Sequence, residues 1–234
     1  MYDLQRVAVP GIVTPNWSEF AIGGGLSDFA RRIVDTDRRI RDTTVIGGSS
    51  FGGFVAWEIA AIIRPRRLIL LGSASSPTSI RRYLQTLFPL APLTPRFAFA
   101  VAPYLGLSAA PLFGATDLQS ARTFAAMGRA ANASFLSWAV RSVSTWVPSF
   151  QSPSTEICRL HGLRDRLIRP PEDACTLISD AGHLPTITHP NEVNRFLESV
   201  MAEPDPGRAE QSLCAEGQGR RYATTLTTAS GAAP

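Results

Sequence analysis

Lysine is absent from this sequence, and all 23 basic side chains are arginine. The arginines stand singly or in pairs, and the formal net charge is only +4 over 234 residues. Proteins that bind nucleic acid typically concentrate basic residues in a patch or along a stripe with aromatic residues between them. The sequence contains no such stripe, so we expect no nucleic-acid partner.

Cysteine is also scarce, and the three residues present lack the spacing of a metal site or a redox pair. Two of them, Cys158 and Cys175, lie in apolar stretches, where a reduced thiol behaves as a small hydrophobic side chain. The first residues show neither a charged start before an apolar block nor a small-residue cleavage site. We therefore expect a cytoplasmic protein that needs no metal ion and no organic cofactor.

One stretch without charged residues, 97–116, has the length of a membrane-spanning helix. It contains Pro103, Gly106, Pro111 and Gly114, which interrupt the continuous backbone hydrogen bonding that a spanning helix needs. A folded segment of a globular protein is therefore the better interpretation. We expect no stable insertion in a membrane.

The chain is organised around residues 45–58, which combine an apolar run, a glycine-rich turn and a second apolar run. The turn reads Gly48-x-Ser50-x-Gly52, the pattern of a serine held on a sharp bend between a strand and a helix. The glycines are needed because the two backbones pass too close for a Cβ atom. A phosphate-binding loop is the alternative, but a Walker-type loop requires lysine, and the stretch lacks G-x-G-x-x-G.

Short apolar runs alternate with helical patterns, which is typical of a parallel sheet covered by helices. We predict an α/β fold for residues 1–202, a mostly parallel sheet with helices on both faces. The predicted strands lie at 6–10, at the start of 45–58, and at 67–73, 156–161 and 175–179. The predicted helices lie at 26–40 with Ser27 as N-cap, from the serine turn to about 63, briefly between the last two strands, and at 191–201.

Residues 77–153 contain helical patterns without a strand signal, and we interpret them as a helical lid inserted between two strands. The helices are expected near 79–88, 96–107, 117–131 and 133–146. On one helix face, Phe135, Trp138, Ser142 and Trp146 favour packing of the lid over a substrate-binding box. Residues 203–234 lack apolar periodicity, and we predict a disordered tail.

A serine hydroxyl becomes a good nucleophile only when a base takes its proton, and histidine usually serves. The sequence has three histidines. His183 follows the last predicted strand in Gly182-His183-Leu184-Pro185, where a loop carries it to the end of the sheet that bears Ser50. Asp165 follows the preceding strand, where an acid that orients the imidazole is expected. The order Ser50, Asp165, His183 is therefore a candidate catalytic set.

Each of these candidates has an alternative. Ser49 is the other serine of the turn, but the glycines would then stand at the wrong offsets. Asp165 is also compatible with capping a turn or pairing with a neighbouring arginine, and Asp180 is a second carboxylate near His183. Of the other histidines, His161 is expected to support a loop through backbone hydrogen bonds, and His189 to begin the last helix.

These motifs resemble the α/β-hydrolase superfamily, in particular its short bacterial esterase-like members, over residues 6–201. The resemblance implies a serine hydrolase that cleaves a carboxylic ester or thioester of a small apolar acyl compound. It also implies Ser50 as nucleophile, His183 as general base and then acid, and Asp165 as the residue that fixes the imidazole tautomer. The amide of Phe51 would then donate one hydrogen bond to the oxyanion.

One departure from the family pattern concerns the residues before Ser50. Family members usually carry a strand and a His-Gly loop that supplies the second oxyanion donor, and the 49 preceding residues contain neither. The fold is therefore expected to be truncated at its start, with Pro10-Gly11-Ile12 as a weak substitute for the loop. The alternative function is a scaffold that binds a ligand with little or no turnover. Upstream DNA that encodes the strand and loop in frame would favour the enzyme.

Overall fold

The computed structural model describes residues 2–15, 22–40, 45–87, 106–149 and 155–202. Its contacts divide the chain into two units, 1–198 and 199–234, and the fold and site described below belong to the first. Of the second unit, only residues 199–202 are described, as the end of a helix. The predicted tail 203–234 lies outside the described residues, as does most of the predicted helix at 96–107.

The described residues form one parallel sheet with the strand order β1-β2-β3-β4. Its strands are β1 (Val45–Ser49), β2 (Arg67–Leu71), β3 (Glu156–Gly162) and β4 (Thr176–Ile178). All five residues of β2 are buried, as expected for a strand paired on both edges and covered on both faces. The predicted α/β fold with a parallel sheet is confirmed.

Helices occupy the connections from β1 to β2 and from β2 to β3, and further helices precede β1 and follow β4. In chain order the structure has α1 (Asp3–Ala8), α2 (Leu26–Thr36), α3 (Phe51–Ile63), α4 (Arg82–Leu87), α5 (Gly106–Ala109), α6 (Leu118–Ala130), α7 (Ala133–Ser144), α8 (Pro185–Thr188) and α9 (Pro190–Ala202). The described residues between β2 and β3 form helices and no strand, which agrees with a helical insertion. Its action as a lid stays a prediction.

The register of the sheet brings the carboxyl ends of its strands to one edge. Ser49 lies opposite Leu71, and Leu71 lies opposite Leu160, so β1, β2 and β3 end at nearly the same level. Parallel strands all point in one direction, and the loops that follow them therefore emerge together. The candidate residues Ser50 and Asp165 stand in two of these loops.

The hydrophobic core joins α2, α3 and α7 to the sheet. Phe29 of α2 is fully buried and packs on the ring of Trp138 of α7, with ring centroids 4.8 Å apart. Phe54 of α3 packs edge-on against Trp146 at the same centroid distance. The buried carboxylate of Glu58 accepts a hydrogen bond from the Trp146 indole at 2.7 Å. These contacts explain Trp138 and Trp146 as packing residues, which was the favoured interpretation.

The predicted strand at 6–10 is wrong, because residues Asp3–Ala8 form helix α1. A short run with apolar residues at alternate positions is ambiguous between strand and helix until its surroundings are known. In α1 the backbone amides of Arg6 and Val9 bond to carbonyls four residues back, and Val9 and Gln5 face inward. Val7, which the strand pattern grouped with Val9, is 83% exposed.

Two local predictions about helices also need correction. Helix α2 begins after Gly25, whose amide donates to the Asp28 carboxylate at 2.9 Å, so Asp28 satisfies the helix start in place of Ser27. Ser27 instead donates to Glu58 at 2.6 Å.

The short helix predicted between β3 and β4 is not formed. Residues 163–175 make turns and one isolated bridge, because the Asp165 side chain binds two backbone amides there.

Within the part of the chain that the structure describes, no helix combines the length and apolar character needed to cross a lipid bilayer. The charge-free stretch 97–116 is described only from residue 106 onward, where α5 and a 3₁₀ turn at Ala110–Phe113 are short.

Candidate active site

Ser50 occupies a strained turn between β1 and α3. Its backbone has φ of 51° and ψ of −119°, a conformation that residues with a Cβ atom rarely adopt. The bend also brings β1 against the start of the helix, since a Cβ atom on Gly48 would lie 2.1 Å from the carbonyl carbon of Gly52. The close approach predicted for the glycine two residues before the serine is therefore present. Strain of this kind is concentrated at functional sites.

The structure brings Ser50 and His183 together although they are 133 residues apart in sequence. The Ser50 Oγ lies 2.6 Å from His183 Nε2, and His183 Nδ1 lies 2.8 Å from Asp165 Oδ2. His183 and Asp165 are buried, and Ser50 is partly accessible. The carboxylate accepts a hydrogen bond from the Nδ1–H group, which leaves Nε2 with its lone pair directed at the serine hydroxyl.

Asp165 is held in place by more than this one hydrogen bond. Its Oδ1 accepts the backbone amides of Leu167 at 2.7 Å and Ile168 at 3.0 Å. Burial by itself would raise the pKa of the Asp165 carboxyl, but hydrogen bonds from His161 and His183 outweigh burial and hold that pKa far below its ordinary value. Asp165 is therefore a fixed, ionised acceptor for the imidazole.

His161 makes a contact that the sequence did not predict. It is the next-to-last residue of β3, and its Nε2 lies 3.2 Å from the Ile168 carbonyl oxygen, in line with the expected backbone hydrogen bond. The same nitrogen lies 3.0 Å from Asp165 Oδ2. Both neighbours are acceptors, so Nε2 carries the proton. The sequence offered one signal of this contact, a histidine that lies four residues before the candidate acid at the end of a predicted strand.

Ser73 is a second residue that sequence reasoning missed. It follows β2, and its Oγ donates a 2.9 Å hydrogen bond to the carbonyl oxygen of Ser50. On the same side, the Ser50 amide donates to the Leu71 carbonyl oxygen at 3.1 Å. The strained residue is thus held at both of its backbone polar groups, by the last residue of β2 and by the serine two residues further on.

The helical insertion supports the loop that carries His183. The His183 amide donates to the carbonyl oxygen of Phe113 at 3.1 Å, and the Phe113 ring packs edge-on against the imidazole at 5.9 Å. Gly114 and Gly182 meet backbone to backbone, since a Cβ atom on Gly114 would lie 2.6 Å from the Gly182 Cα. Residues 113 and 114 thereby fix the position of the imidazole.

The remaining alternatives are separated by position. Ser49 is 3% exposed and faces the interior, so it is not the exposed serine of the turn. Asp180 lies 3.2 Å from the Nε2 of His189, the residue directly before α9, and a hydrogen bond from this imidazole lowers the pKa of the Asp180 carboxyl. Pro10 and Gly11, which were considered as a weak substitute for the oxyanion loop, form an exposed turn after α1.

The candidate oxyanion donor, the amide of Phe51, belongs to the first residue of α3, at the positive end of the helix dipole. On the outer side of β1, no other strand of the described residues pairs with the edge. There the phenolic oxygen of Tyr2, the N-cap residue of α1, accepts a hydrogen bond from the Ser49 amide at 2.7 Å.

A strand that ends in a strained serine, followed by parallel strands whose loops bring a carboxylate and an imidazole to it, is the arrangement of an α/β-hydrolase. The sequence profile of the alpha/beta hydrolase family matches residues 4–196, and the chain belongs to this family. At this level of description the protein is a hydrolase. A search of curated proteins found no significant match.

Solved structures of hydrolases share the fold at low sequence identity. A meta-cleavage product hydrolase from Pseudomonas fluorescens IP01 is 14% identical with a TM-score of 0.58, and 85% of each chain is covered. An esterase from Exiguobacterium antarcticum is 12% identical with a TM-score of 0.58, covering 86% of this chain and 87% of that one. A thermophilic esterase from Thermogutta terrifontis is 19% identical with a TM-score of 0.53, covering 81% and 74%. The likeness concerns the fold alone.

Proposed function

We propose that the protein is a serine hydrolase that cleaves a carboxylic ester or thioester of a small apolar acyl compound. Ser50 is the nucleophile, His183 the general base and then general acid, and Asp165 the acid that orients the imidazole. The observation that carries the proposal is the continuous pair of short contacts, 2.6 Å from Ser50 Oγ to His183 Nε2 and 2.8 Å from His183 Nδ1 to Asp165 Oδ2.

In the first half-reaction, Ser50 Oγ attacks the carbonyl carbon while His183 Nε2 takes the hydroxyl proton. The electron pair of the carbonyl double bond moves onto its oxygen, which becomes an oxyanion. When the tetrahedral species collapses, the imidazolium gives its proton to the departing alkoxide or thiolate. Water then attacks the acyl-serine by the same route, which releases the carboxylic acid and restores Ser50.

Charge stabilisation in this scheme comes from two sources. Asp165 is ionised and hydrogen-bonded to Nδ1, so it stabilises the imidazolium that forms during attack. The amide of Phe51 stands directly after the nucleophile at the start of α3 and serves as an oxyanion donor. Removing a single oxyanion donor from a serine hydrolase lowers turnover by about 10²–10³.

The apolar character of the proposed substrate is supported by the aromatic side chains beside these residues. The Phe51 ring packs against the half-buried Phe135 ring at 5.6 Å, and the Phe113 ring lies edge-on to the His183 imidazole. The structures with a similar fold include esterases, which favours an ester substrate. They also include a meta-cleavage product hydrolase, so cleavage of a carbon–carbon bond is the variant to test beside it.

The second candidate function is a scaffold that binds a ligand with little turnover. It is favoured by one observation, that β1 is the edge strand of the described sheet and carries no backbone oxyanion loop on its outer side within the described residues. This candidate predicts a folded protein whose serine is unreactive.

A fluorophosphonate probe separates the two functions, because it forms a covalent bond only with an activated serine. We expect the wild type and Ser49→Ala, a change in the same turn, to be labelled on Ser50, as located by mass spectrometry of the labelled peptide. Ser50→Ala and His183→Ala are expected to remain unlabelled. A wild type that shows a cooperative thermal transition yet stays unlabelled would contradict the enzyme and favour the scaffold.

Substrate class is tested with p-nitrophenyl esters of increasing acyl length, a matched thioester, and a vinylogous 1,5-diketone as carbon–carbon substrate. We expect the highest kcat/KM for a short apolar acyl group on oxygen or sulfur. Exclusive turnover of the diketone would reassign the reaction while leaving the nucleophile and base unchanged.

A further inference from the structure

Ser49, the last residue of β1, contacts the phenol of Tyr2 on the outer side of the strand. The Ser50 amide points toward β2 and donates to the Leu71 carbonyl oxygen, whereas the Ser49 amide donates to the hydroxyl oxygen of Tyr2 at 2.7 Å. Successive amides of a strand point to opposite sides. The Tyr2 hydroxyl therefore stands on the side of β1 away from β2, at the end of the strand that carries Ser50.

A second contact holds the same helix face against the His183 segment. Gln5 is fully buried, and its Nε2 donates to the Thr186 carbonyl oxygen at 3.2 Å. Tyr2 and Gln5 are three residues apart, so they share one face of α1 and its N-cap. That face reaches from the turn that carries Ser50 to the segment three residues after His183. The Tyr2 hydroxyl is thus placed at the same end of the sheet as the serine and the imidazole, the end where the strands have their carboxyl termini.

Among the described residues, the Tyr2 side chain makes one hydrogen bond, in which its phenolic oxygen accepts from the Ser49 amide. The phenolic proton therefore has no acceptor among these residues. Burial raises the pKa of Tyr2 to about 12, although the hydrogen bond from the Ser49 amide acts in the opposite direction. The hydroxyl therefore keeps its proton at any pH near neutrality. It is available as a donor to a group that arrives with the substrate.

We propose that the Tyr2 hydroxyl donates the second hydrogen bond to the oxyanion that forms when Ser50 attacks the substrate carbonyl. This proposal rests on the proposed serine hydrolase function. The first donor is the amide of Phe51, the residue after the nucleophile. The second is the Tyr2 hydroxyl, which is held by the amide of Ser49, the residue before the nucleophile. No proton is transferred, because the phenol keeps its hydrogen and only strengthens that bond as negative charge builds on the substrate oxygen.

The test compares Tyr2→Phe with Tyr83→Phe, which removes the hydroxyl of a 45% exposed tyrosine bound to the Arg166 carbonyl oxygen. We expect kcat on the best p-nitrophenyl ester to fall by about 10²–10³ in Tyr2→Phe with KM nearly unchanged, as for loss of one oxyanion donor. Tyr83→Phe is expected to retain the wild-type kcat. Equal kcat values for Tyr2→Phe and the wild type would overturn the proposal.

A thionoester with the same acyl and leaving groups distinguishes donation to the oxyanion from support of the fold. Sulfur accepts hydrogen bonds weakly, so the loss in Tyr2→Phe is expected to shrink to less than about tenfold on the thionoester. An equal loss on both substrates would mean that Tyr2 only positions β1, and it would overturn the proposal.

Labelling by the fluorophosphonate probe separates this proposal from the function on which it rests. If the folded wild type is not labelled on Ser50, both fail. If the wild type is labelled and Tyr2→Phe is labelled at the same rate with the same kcat, the hydrolase stands and the role of Tyr2 is rejected. Slower labelling of Tyr2→Phe, with a thermal midpoint close to the wild type, supports the role.

Discussion

His161 Nε2 lies 3.0 Å from Asp165 Oδ2, the same carboxylate oxygen that accepts Nδ1 of His183. Two imidazoles therefore share one oxygen of a fully buried carboxylate, and the other oxygen is bound by two backbone amides. In the proposed mechanism His161 is a positioning residue, which keeps the carboxylate in the orientation that His183 requires.

We expect His161→Phe to lower the free energy of unfolding by about 1.5–3 kcal/mol, because it removes a buried hydrogen bond to a charged group. It is also expected to lower kcat on an ester with little change in KM. His161→Gln retains a side-chain N–H donor and should recover part of both losses. Urea unfolding and steady-state kinetics measure the two quantities. A kcat in His161→Phe equal to the wild type would show that His161 supports only the fold.

Asp165 is expected to make the stability of the protein depend on acid pH. The pKa of its carboxyl is lower in the folded protein than in the unfolded chain, where it is about 3.9. Its stabilising contribution is therefore complete above the unfolded value and is lost as the pH falls from there toward the folded value.

Asp165→Asn tests this dependence. We expect the wild-type free energy of unfolding to fall between about pH 5 and pH 2, and the fall to be smaller in Asp165→Asn. Asp35→Asn, at an exposed position of α2, is the control and should retain the wild-type slope. At neutral pH, Asp165→Asn is expected to lower kcat by about 10⁴, as in serine enzymes whose orienting acid is replaced. Parallel stability curves for Asp165→Asn and the wild type would contradict the prediction.

Ser73→Ala removes the hydrogen bond to the carbonyl oxygen of Ser50. We expect a loss of about 0.5–1.5 kcal/mol in the free energy of unfolding and a drop in kcat, because the strained turn is less well held. Ser144→Ala, which removes a similar 2.7 Å bond to the Arg141 carbonyl oxygen in α7, is expected to lose comparable stability with no change in kcat. Chemical unfolding and ester kinetics of both variants decide whether the Ser73 bond acts on the site.

Gly114→Ala places a Cβ atom against the Gly182 backbone at a residue with φ of 87°. Gly11→Ala offers a matched control, since Gly11 has φ of 96° and a Cβ atom there would meet nothing within 4 Å. Both variants are expected to lose about 1 kcal/mol or more of stability from backbone strain. Only Gly114→Ala is expected to lower kcat, because it displaces the loop of His183. Equal kcat values for Gly114→Ala and Gly11→Ala would show that the helical insertion does not position His183.

The serine turn could be predicted from sequence because its requirements are local. Gly48, Ser50 and Gly52 satisfy the steric needs of a bend between strand and helix, whatever surrounds them. The parallel sheet was also predictable, since buried strands joined by helices give continuous apolar runs. With parallel strands, the chain order of Ser50, Asp165 and His183 was enough to expect them at one edge of the sheet, which is where the structure brings them together.

The tertiary structure decided what local patterns left ambiguous. Residues 3–8 form a helix and not a strand because Gln5 and Val9, four residues apart, are the pair that finds a buried environment. The contacts of His161 and Ser73 with the site arise from strand register, and that of Tyr2 from a hydrogen bond between the N-cap residue of α1 and the end of β1. Such contacts join segments far apart in the chain, and their geometry is set by the packing of the whole sheet. No spacing within one segment encodes them.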